Sequence, residues 1–263
     1  MSPSHPKKRF GQHFLRDRGV VARVVAALAP QPGDRVVEIG PGTGALTREL
    51  LTQMTHLDAV ELDRDLIAHL ESEFPRERFT LHQGDALKFD FCELAPGGGR
   101  LRLVGNLPYN ISTPLLFHLL DQAHCVRDML FMLQKEVVQR LAAAPGGKDY
   151  GRLSVMIQYR CAVEKLFDVA PGAFTPPPKV DSAVVRLTPH RAPPVAVNDP
   201  ERFALLVRAA FASRRKTLRN NLKGLLPAGD MIALGIDPTR RAETLSLAEF
   251  AALSNATTSI SIR

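Results

Sequence analysis

Residues 36–45 read Val-Val-Glu-Ile-Gly-Pro-Gly-Thr-Gly-Ala, and this stretch decides the fold class. A short β-branched run at residues 35–39 passes directly into closely spaced glycines, after which residues 45–54 have the apolar spacing of a helix. Glycines are needed where the backbone turns sharply and a ligand lies against it without interference from side chains. The stretch therefore predicts a strand, a ligand-binding turn and the first helix of an α/β unit.

Strand-like and helix-like segments alternate on both sides of this turn. Further strands are predicted at residues 57–62, 79–82, 101–104 and 129–133. Further helices are predicted at residues 20–29, 64–74 and 114–120. Strands that alternate with helices form a mostly parallel sheet that is covered on both faces. The predicted fold class is therefore α/β.

A proline-rich segment at residues 189–200 marks a change of composition towards the C-terminal end. Beyond it, apolar residues recur at helical spacing, and Ser246 with Glu249 forms a capping box for a last helix. Asp199 is a candidate cap for the first of these helices. We predict an α/β domain at 1–190, a linker at 191–199 and a small all-helical domain at 200–263.

Charge and cysteine content narrow the class of protein. The 263 residues carry a formal net charge of +7, which favours a polyanionic partner because neutralised phosphates release counterions. Apolar runs are shorter than the roughly 20 residues that cross a bilayer, and no secretory signal follows the basic N-terminus. Cys92, Cys125 and Cys161 have no metal-type spacing, nor do the histidines. We therefore expect reduced thiols and no metal in a cytoplasmic protein.

Two carboxylates follow the glycine turn at spacings that suit a nucleoside ligand. Glu61 ends the second strand about 20 residues further on, where a carboxylate can accept hydrogen bonds from both hydroxyls of a ribose. Asp85 follows the third strand and can accept a hydrogen bond from an adenine amino group. The turn and these two acids together predict a site for an adenosine-containing cofactor.

The glycine turn by itself leaves the cofactor open. Gly40, Gly42 and Ala45 satisfy the dinucleotide fingerprint G-x-G-x-x-A as well as the pattern of an S-adenosylmethionine site. Pro41 favours S-adenosylmethionine, because proline removes a backbone N–H that a pyrophosphate would use. A merely structural turn is the third interpretation.

Asn106-Leu107-Pro108-Tyr109 follows the fourth strand, where residues of this architecture line the ligand crevice. The exocyclic amine of adenine is a poor nucleophile, because its lone pair is delocalised into the ring. The Asn106 side-chain oxygen and the backbone carbonyl beside Pro108 can each accept one amino hydrogen, which favours a pyramidal nitrogen aimed at a sulfonium methyl. Tyr109 can stack on the base. Taken alone, the motif is also compatible with an ordinary strand-ending turn.

Basic residues are concentrated in two short segments. Residues 208–223 contain six basic residues and no acidic one, and a second cluster occurs at the N-terminus. We predict that these segments contact RNA phosphates while the pocket holds a base out of its stack. A solvated helical face is the alternative. The predicted RNA-binding residues are Lys7, Lys8, Arg9, Arg214, Arg215, Lys216, Arg219 and Lys223.

Five blocks of the sequence together resemble the ribosomal RNA adenine dimethyltransferases of the small-subunit type. These blocks lie at residues 12–15, 106–112, 134–137, 174–182 and 214–222, and the resemblance extends over nearly the whole chain. It implies a Rossmann-like class I methyltransferase fold and S-adenosylmethionine as the cofactor. It also implies dimethylation of the N6 amines of two adjacent adenines near the 3′ end of 16S ribosomal RNA.

The resemblance also implies roles for individual residues. Catalytic roles fall to Asn106, Pro108 and Tyr109, with Phe174 closing the other face of the target adenine. The implied cofactor contacts are His13, Leu15, Gly40, Gly42, Glu61, Asp85, Ala86 and Asn106. The expected partner is the RNA of the immature 30S subunit, and the protein is expected to be a monomer. The alternatives are an adenine-N6 methyltransferase of another RNA or of DNA, and an RNA-binding assembly factor with little catalysis.

Overall fold

The structure, a computed structural model, describes residues 12–257. Its strands are β1 (Phe14–Leu15), β2 (Arg35–Ile39), β3 (Leu57–Glu61), β4 (Phe79–Gln83), β5 (Leu101–Asn106), β6 (Val126–Gln134), β7 (Cys161–Val169), β8 (Phe174–Thr175) and β9 (Ser182–Pro189). Its α-helices are α1 (Arg18–Leu28), α2 (Ala45–Gln53), α3 (Arg64–Glu73), α4 (Ser112–Asp121), α5 (Lys135–Ala142), α6 (Arg152–Arg160), α7 (Pro200–Ala210), α8 (Leu218–Asn221), α9 (Ala228–Ala233) and α10 (Leu247–Ala256). Within this range, every helix is too short or too polar to span a membrane.

Seven strands form one twisted sheet in the order β4-β3-β2-β5-β6-β9-β7. The pairs from β4 to β6 are parallel, whereas β9 runs antiparallel to β6. The strand order reverses between β2 and β5, and ligands of open α/β sheets bind outside the carboxyl ends of the strands at such a switch point. The predicted α/β class with a mostly parallel sheet is confirmed.

The fourth predicted strand extends further than its apolar run. Gly105 and Asn106 remain paired with Phe131 and Met132 of β6, so β5 carries its last residue to the edge of the sheet. A Cβ atom at Gly105 would lie 2.4 Å from the carbonyl oxygen of Ile39. Glycine therefore allows β5 to pass this close to the end of β2.

Two compact units are present, and their boundaries differ from the predicted ones. The first unit contains residues up to Val138 together with Glu164–Pro189, and the second contains Gln139–Val163 together with residues from His190 onward. The sequence-based boundaries place residues 139–163 in the α/β domain instead. Apolar packing explains the difference, because Tyr150 and Tyr159 are buried with Phe203 in the core of the helical unit. The sequence patterns do not predict four of the observed elements, namely α5, α6, β7 and β9.

Helices α7 and α10 of the second unit begin at the predicted capping residues, but the apolar spacing after residue 200 does not correspond to one continuous helix. The Asp199 side chain accepts hydrogen bonds from the backbone N–H groups of Glu201 and Arg202, with Pro200 in the first turn of α7. Ser246 and Glu249 form the predicted capping box of α10. The helical spacing that continues past residue 210 in the sequence is interrupted, since α7 ends at Ala210 and the short α8 begins at Leu218.

The cysteines correct one sequence-based expectation. Cys92 and Cys125 form a disulfide, with Cα atoms 5.5 Å apart and a sequence separation of 33 residues. Each lies in a short 3₁₀ turn, at Phe91–Leu94 and Ala123–Cys125, and only the fold brings these turns together. Cys161 is a free buried thiol, as expected, and burial raises its pKa to about 12.

Candidate active site

A cleft opens at the carboxyl ends of β2, β3, β4 and β5, at the switch point of the sheet. Its walls come from the N-terminal strand, the glycine turn and the segments that follow β3, β4 and β5. The sequence-predicted residues that line it are His13, Leu15, Gly40, Gly42, Glu61, Asp85, Ala86, Asn106, Pro108 and Tyr109. The fold therefore brings all the predicted cofactor contacts to one place.

The glycine turn forms one wall, and its conformation depends on residue type. Gly42 has a φ of +58°, and a Cβ atom there would lie 2.9 Å from the ring of Phe14. A side chain at this position would therefore both strain the turn and displace β1. The backbone N–H of Gly40 donates to the carbonyl oxygen of Val60 at 2.9 Å, which fixes the turn against the end of β3.

Glu61 lies beside the glycine turn and is held in place by backbone hydrogen bonds. Its Oε1 accepts hydrogen bonds from the backbone N–H groups of Leu62 and Asp63, each at 2.9 Å. Its Oε2 accepts only a long bond of 3.4 Å from the N–H of Gly42. Burial raises the pKa of Glu61 in spite of these hydrogen bonds. A pair of ligand hydroxyls could therefore replace the long bond without any movement of the side chain.

Glu38 is a second buried carboxyl in the cleft, and sequence reasoning assigned it no role. Burial raises its pKa to about 8, although the Thr47 hydroxyl donates to its Oε2 at 2.6 Å. The nearby charge of Glu61 raises the pKa further. The sequence does contain a signal, since Glu38 interrupts the apolar run of residues 36–39 in β2, and a buried acid in a cleft is a candidate functional group.

The charges that line the cleft discriminate between the proposed cofactors. Glu38, Glu61, Asp63 and Asp85 all line it, and the described lining residues include no lysine or arginine. A pyrophosphate would bring negative charge next to Glu61, Asp63 and Asp85, whereas a positively charged ligand would be attracted to them. The electrostatics of the cleft therefore favour a cationic ligand over a dinucleotide.

Asn106 lies at the end of β5 with its side-chain orientation set by the N-terminal segment. Its Nδ2 donates to the carbonyl oxygen of His13 at 2.8 Å, an assignment of amide nitrogen and oxygen that follows from this partner. The Oδ1 is then the atom that remains to accept a hydrogen bond in the cleft. The carbonyl of Pro108 already accepts from the N–H of Ile111 at 3.2 Å, so we take the carbonyl of Leu107, which also lines the cleft, as the candidate second acceptor.

Tyr109 is oriented from two sides. Its hydroxyl forms a 2.6 Å hydrogen bond with the Oγ of Ser182, which is fully buried at the start of β9. The ring of His13 lies beside it, with ring centroids 5.5 Å apart. Because the ring is held at its tip and along one side, Tyr109 presents a fixed surface to the cleft.

Phe174 is the one predicted catalytic residue that does not line the cleft. It pairs with Leu15 in the antiparallel ribbon of β1 and β8, and its side chain is only 3% exposed within the core of the first unit. The ring is packed within this core and is not part of the cleft lining. The nearby His13 Nδ1 instead forms a 2.8 Å hydrogen bond with the carbonyl of Pro176, so the same loop does reach the cleft wall.

The predicted RNA-binding residues of the second unit are exposed, in the turn between α7 and α8, within α8 and directly after it. The buried side chains of Leu218 and Leu222 anchor this turn. Asn221 is not available as an RNA contact, because its amide donates to the carbonyls of Ala210 and Ser213 at 2.7 and 2.9 Å. The exposed basic side chains are Arg214, Arg215, Lys216, Arg219 and Lys223. The predicted contacts at Lys7, Lys8 and Arg9 lie outside the described residues.

Known proteins resemble this chain over nearly its full length. Residues 4–259 match the profile of a family described as ribosomal RNA adenine dimethylase. The chain is 62% identical over 255 residues to the ribosomal RNA small subunit methyltransferase A of Laribacter hongkongensis, and the aligned region covers 97% of each chain. It is 60% identical over 250 residues to the protein of the same name from Pseudomonas aeruginosa, covering 95% of this chain and 93% of that one.

Solved structures show the same architecture. A dimethyladenosine transferase from Plasmodium falciparum superposes with a TM-score of 0.76 at 26% identity, covering 92% of this chain and 96% of that one. The 23S rRNA methyltransferase ErmE superposes with a TM-score of 0.72, also at 26% identity, covering 92% of this chain and 98% of the other. In both cases the similarity extends through the α/β unit and most of the helical unit.

Proposed function

This chain belongs to the ribosomal RNA adenine dimethylase family, and we propose that it dimethylates the N6 amines of two adjacent adenines near the 3′ end of 16S ribosomal RNA. It is an enzyme with the class I methyltransferase fold that the sequence predicts. The observation that carries the proposal is the acid-lined cleft at whose edge the Asn106 oxygen is oriented by the His13 carbonyl.

The proposed cofactor is S-adenosylmethionine, which supplies an electrophilic methyl group on a positively charged sulfonium. Glu61 would hold the ribose through its Oε2, and Asp85 would accept a hydrogen bond from the adenine amino group. Asp85 is suitably fixed, since its Oδ1 accepts from the N–H of Leu87 at 3.0 Å. Glu38 adds a carboxyl whose ionised form is stabilised by a cation, so binding of a cation should promote its loss of a proton.

The target amine would be held by two acceptors at the end of β5. Asn106 Oδ1 and the Leu107 carbonyl each accept one amino hydrogen, which localises the nitrogen lone pair and directs it towards the methyl group. The bound cofactor would supply the methyl group to this nitrogen and leave as the neutral thioether, and the methylated nitrogen would then release one proton to solvent. A general base is not required, because the amine becomes acidic only after the methyl group has been transferred. Tyr109 would stack on the base.

We further propose that the substrate is the immature 30S subunit and that the protein acts in the cytoplasm as a monomer. The test uses three parallel reactions, each containing the protein and labelled S-adenosylmethionine. The first contains unmethylated small subunits, the second free 16S RNA and the third duplex DNA. Nucleoside mass spectrometry should find N6,N6-dimethyladenosine in the subunits. Label in DNA alone would favour the DNA methyltransferase alternative, and tight RNA binding without turnover would favour an assembly factor.

Glu61→Gln should weaken S-adenosylmethionine binding by about ten-fold or more, because a charged acceptor of the ribose hydroxyls becomes a weaker neutral one. RNA affinity should stay the same. Isothermal titration calorimetry with the cofactor measures the effect, and Glu77→Gln, which neutralises an exposed acid outside the cleft lining, is the matched control. Equal cofactor affinities for the two variants would contradict the ribose assignment.

Replacing Arg215 and Lys216 together by glutamine should weaken RNA binding and reduce its salt slope by about 1 to 2, because two phosphate contacts are lost. Filter binding at several salt concentrations gives the slope. The control replaces Arg76 and Arg100, two exposed arginines of the first unit, and removes the same amount of charge. If both double variants shift the slope equally, binding depends on net charge and not on this turn.

A further inference from the structure

Cys92, His124 and Cys125 form a cluster of reactive side chains that does not belong to the cleft lining. We propose that this cluster is a reversible thiol–disulfide site that exchanges with low-molecular-weight thiols and disulfides. The proposal concerns these three residues alone and stands apart from the methyl-transfer function. Its starting point is the disulfide between two cysteines that sequence spacing does not connect.

The two sulfurs differ in how well a small molecule can reach them. Cys92 is half-buried, whereas Cys125 is only 6% exposed. The exposed His124 places its Nε2 3.4 Å from the Sγ of Cys92. An imidazole N–H at this distance stabilises a thiolate, and the thiolate is the nucleophilic form of cysteine. Cys92 is therefore the attacking cysteine, and Cys125 is the one that resolves the intermediate.

Hydrogen bonds hold the two 3₁₀ turns together without any contribution from the disulfide. The Gln122 side chain accepts from the N–H of Phe91 at 2.7 Å and donates to the carbonyl of Phe89 at 3.1 Å. His118 Nε2 forms a further 2.8 Å bond to the same carbonyl. Because none of these bonds involves a sulfur, we expect them to keep the two thiols adjacent after reduction, and ring closure is then favoured by proximity.

Oxidation by a small disulfide proceeds in two exchanges. The Cys92 thiolate attacks one sulfur of the small disulfide, that S–S bond breaks, and one small thiolate leaves with the electron pair. The Cys125 thiolate then attacks the Cys92 sulfur of the mixed disulfide and displaces the second small thiolate. Two protein thiols are oxidised, one small disulfide is reduced to two thiols, and the two protein protons pass to the leaving thiolates.

Cys161 provides an internal contrast. It is 1% exposed, and burial raises its pKa to about 12, so little thiolate is present and a small disulfide cannot reach it.

Cation binding is the alternative use of the cluster. The sulfurs of Cys92 and Cys125 and the nitrogen of His124 lie within 4.8 Å of one another, a spacing that would also suit one soft cation. The disulfide favours exchange, because both thiols are consumed in it, and cation binding is an outcome of the test.

The experiment uses the full-length protein, reduced and desalted without oxygen, then incubated with oxidised glutathione. Alkylation and peptide mass mapping should show a Cys92–Cys125 disulfide while Cys161 stays reduced, and dithiothreitol should reverse the change. Cys125→Ser should accumulate one glutathione adduct on Cys92. Cys92→Ser should react with oxidised glutathione at least about ten-fold more slowly, since of this pair only the buried thiol of Cys125 remains. Cys161→Ala is the control and should match the natural protein.

His124→Gln tests the activating role, because it should slow adduct formation at Cys92 by about three-fold or more as the thiolate fraction falls. Three results would overturn the proposal. One is that Cys92 and Cys125 stay reduced in the presence of oxidised glutathione. Another is a first adduct on Cys125. The third is uptake of one equivalent of Co²⁺ by the reduced protein with a thiolate charge-transfer band, which would make the cluster a cation site.

Discussion

Asn106→Ala is expected to lower the turnover number by about 10²-fold or more, comparable to the loss of one preorganised polar group in other active sites. The Oδ1 atom would otherwise accept an amino hydrogen of the target adenine, and its position is set by the 2.8 Å bond from Nδ2 to the His13 carbonyl. Alanine removes the acceptor and leaves that carbonyl without this donor. Cofactor binding should change much less, because the ribose and adenine contacts lie on other strands.

Single-turnover kinetics with saturating cofactor separate the two effects, and calorimetry gives the cofactor affinity independently. Asn198→Ala is a matched control, since it makes the same change at an exposed asparagine of the second unit. The control should turn over at the normal rate. A rate for Asn106→Ala within about three-fold of the control would rule out the proposed orientation of the amine, because one lost acceptor should cost far more.

Those parts of the site that lie within one short segment could be predicted from the sequence. The glycine turn, Glu61, Asp85 and Asn106 each follow a recognisable strand, and parallel strands bring their carboxyl ends to the same edge. The sequence patterns place β2 at its observed residues and α2 and α3 within one residue of their observed ends. Local periodicity is sufficient where a strand or helix is long and regular.

The parts that the sequence did not reveal depend on contacts between distant residues. The β1–β8 ribbon joins Leu15 to Phe174, and both side chains are buried in the core of the first unit. The requirement for glycine at position 105 becomes visible only when Ile39 of the neighbouring strand is in place. The cysteine pair is also brought together by tertiary structure. None of these contacts leaves a pattern within a single segment.

The ribbon also explains how the N-terminal segment takes part in the site. β1 is held by two residues of β8, and the carbonyl of Ala173 accepts from the N–H of Arg16 at 2.8 Å. This attachment positions the His13 carbonyl against Asn106 and the His13 ring against Tyr109. The proposed cofactor contacts and the proposed target-base contacts are therefore connected through one short strand.

A buried charge network at the other end of the sheet controls stability instead of chemistry. The Arg102 guanidinium bonds both carboxylate oxygens of Asp128, at 2.8 and 2.7 Å, and one oxygen of Asp34 at 2.8 Å. It also donates to the Leu28 carbonyl at 2.7 Å, at the end of α1. The Arg102 side chain is 7% exposed, and those of Asp34 and Asp128 are 9% and 13% exposed. Arg127 bonds the other oxygen of Asp34 from the surface, with its side chain 56% exposed.

Arg102→Met should therefore lower the free energy of unfolding of the first unit by about 3–5 kcal/mol, because two largely buried carboxylates lose their main cation. Arg127→Met removes a cation from the same Asp34 but should cost less than about 1 kcal/mol, since the Arg127 side chain is exposed to solvent and Asp34 keeps its bond to Arg102. Urea unfolding at neutral pH compares the two variants. Because the chain has no tryptophan, unfolding is followed by far-ultraviolet circular dichroism. Similar losses for both would contradict the importance of burial.

The pH dependence gives this prediction a second check with a defined sign. Burial alone would raise the pKa of Asp34, but the hydrogen bonds from the Gln31 N–H and from Arg102 lower it overall. A carboxyl with a lowered pKa stabilises the folded protein above its unfolded value and loses that contribution as the pH falls through the folded value. The natural protein should thus lose stability in acid, whereas Arg102→Met, which lacks the guanidinium that helps to lower the pKa of Asp34, has less of this contribution to lose. The difference in unfolding free energy should narrow as the pH falls below about 4, the usual pKa of an aspartate.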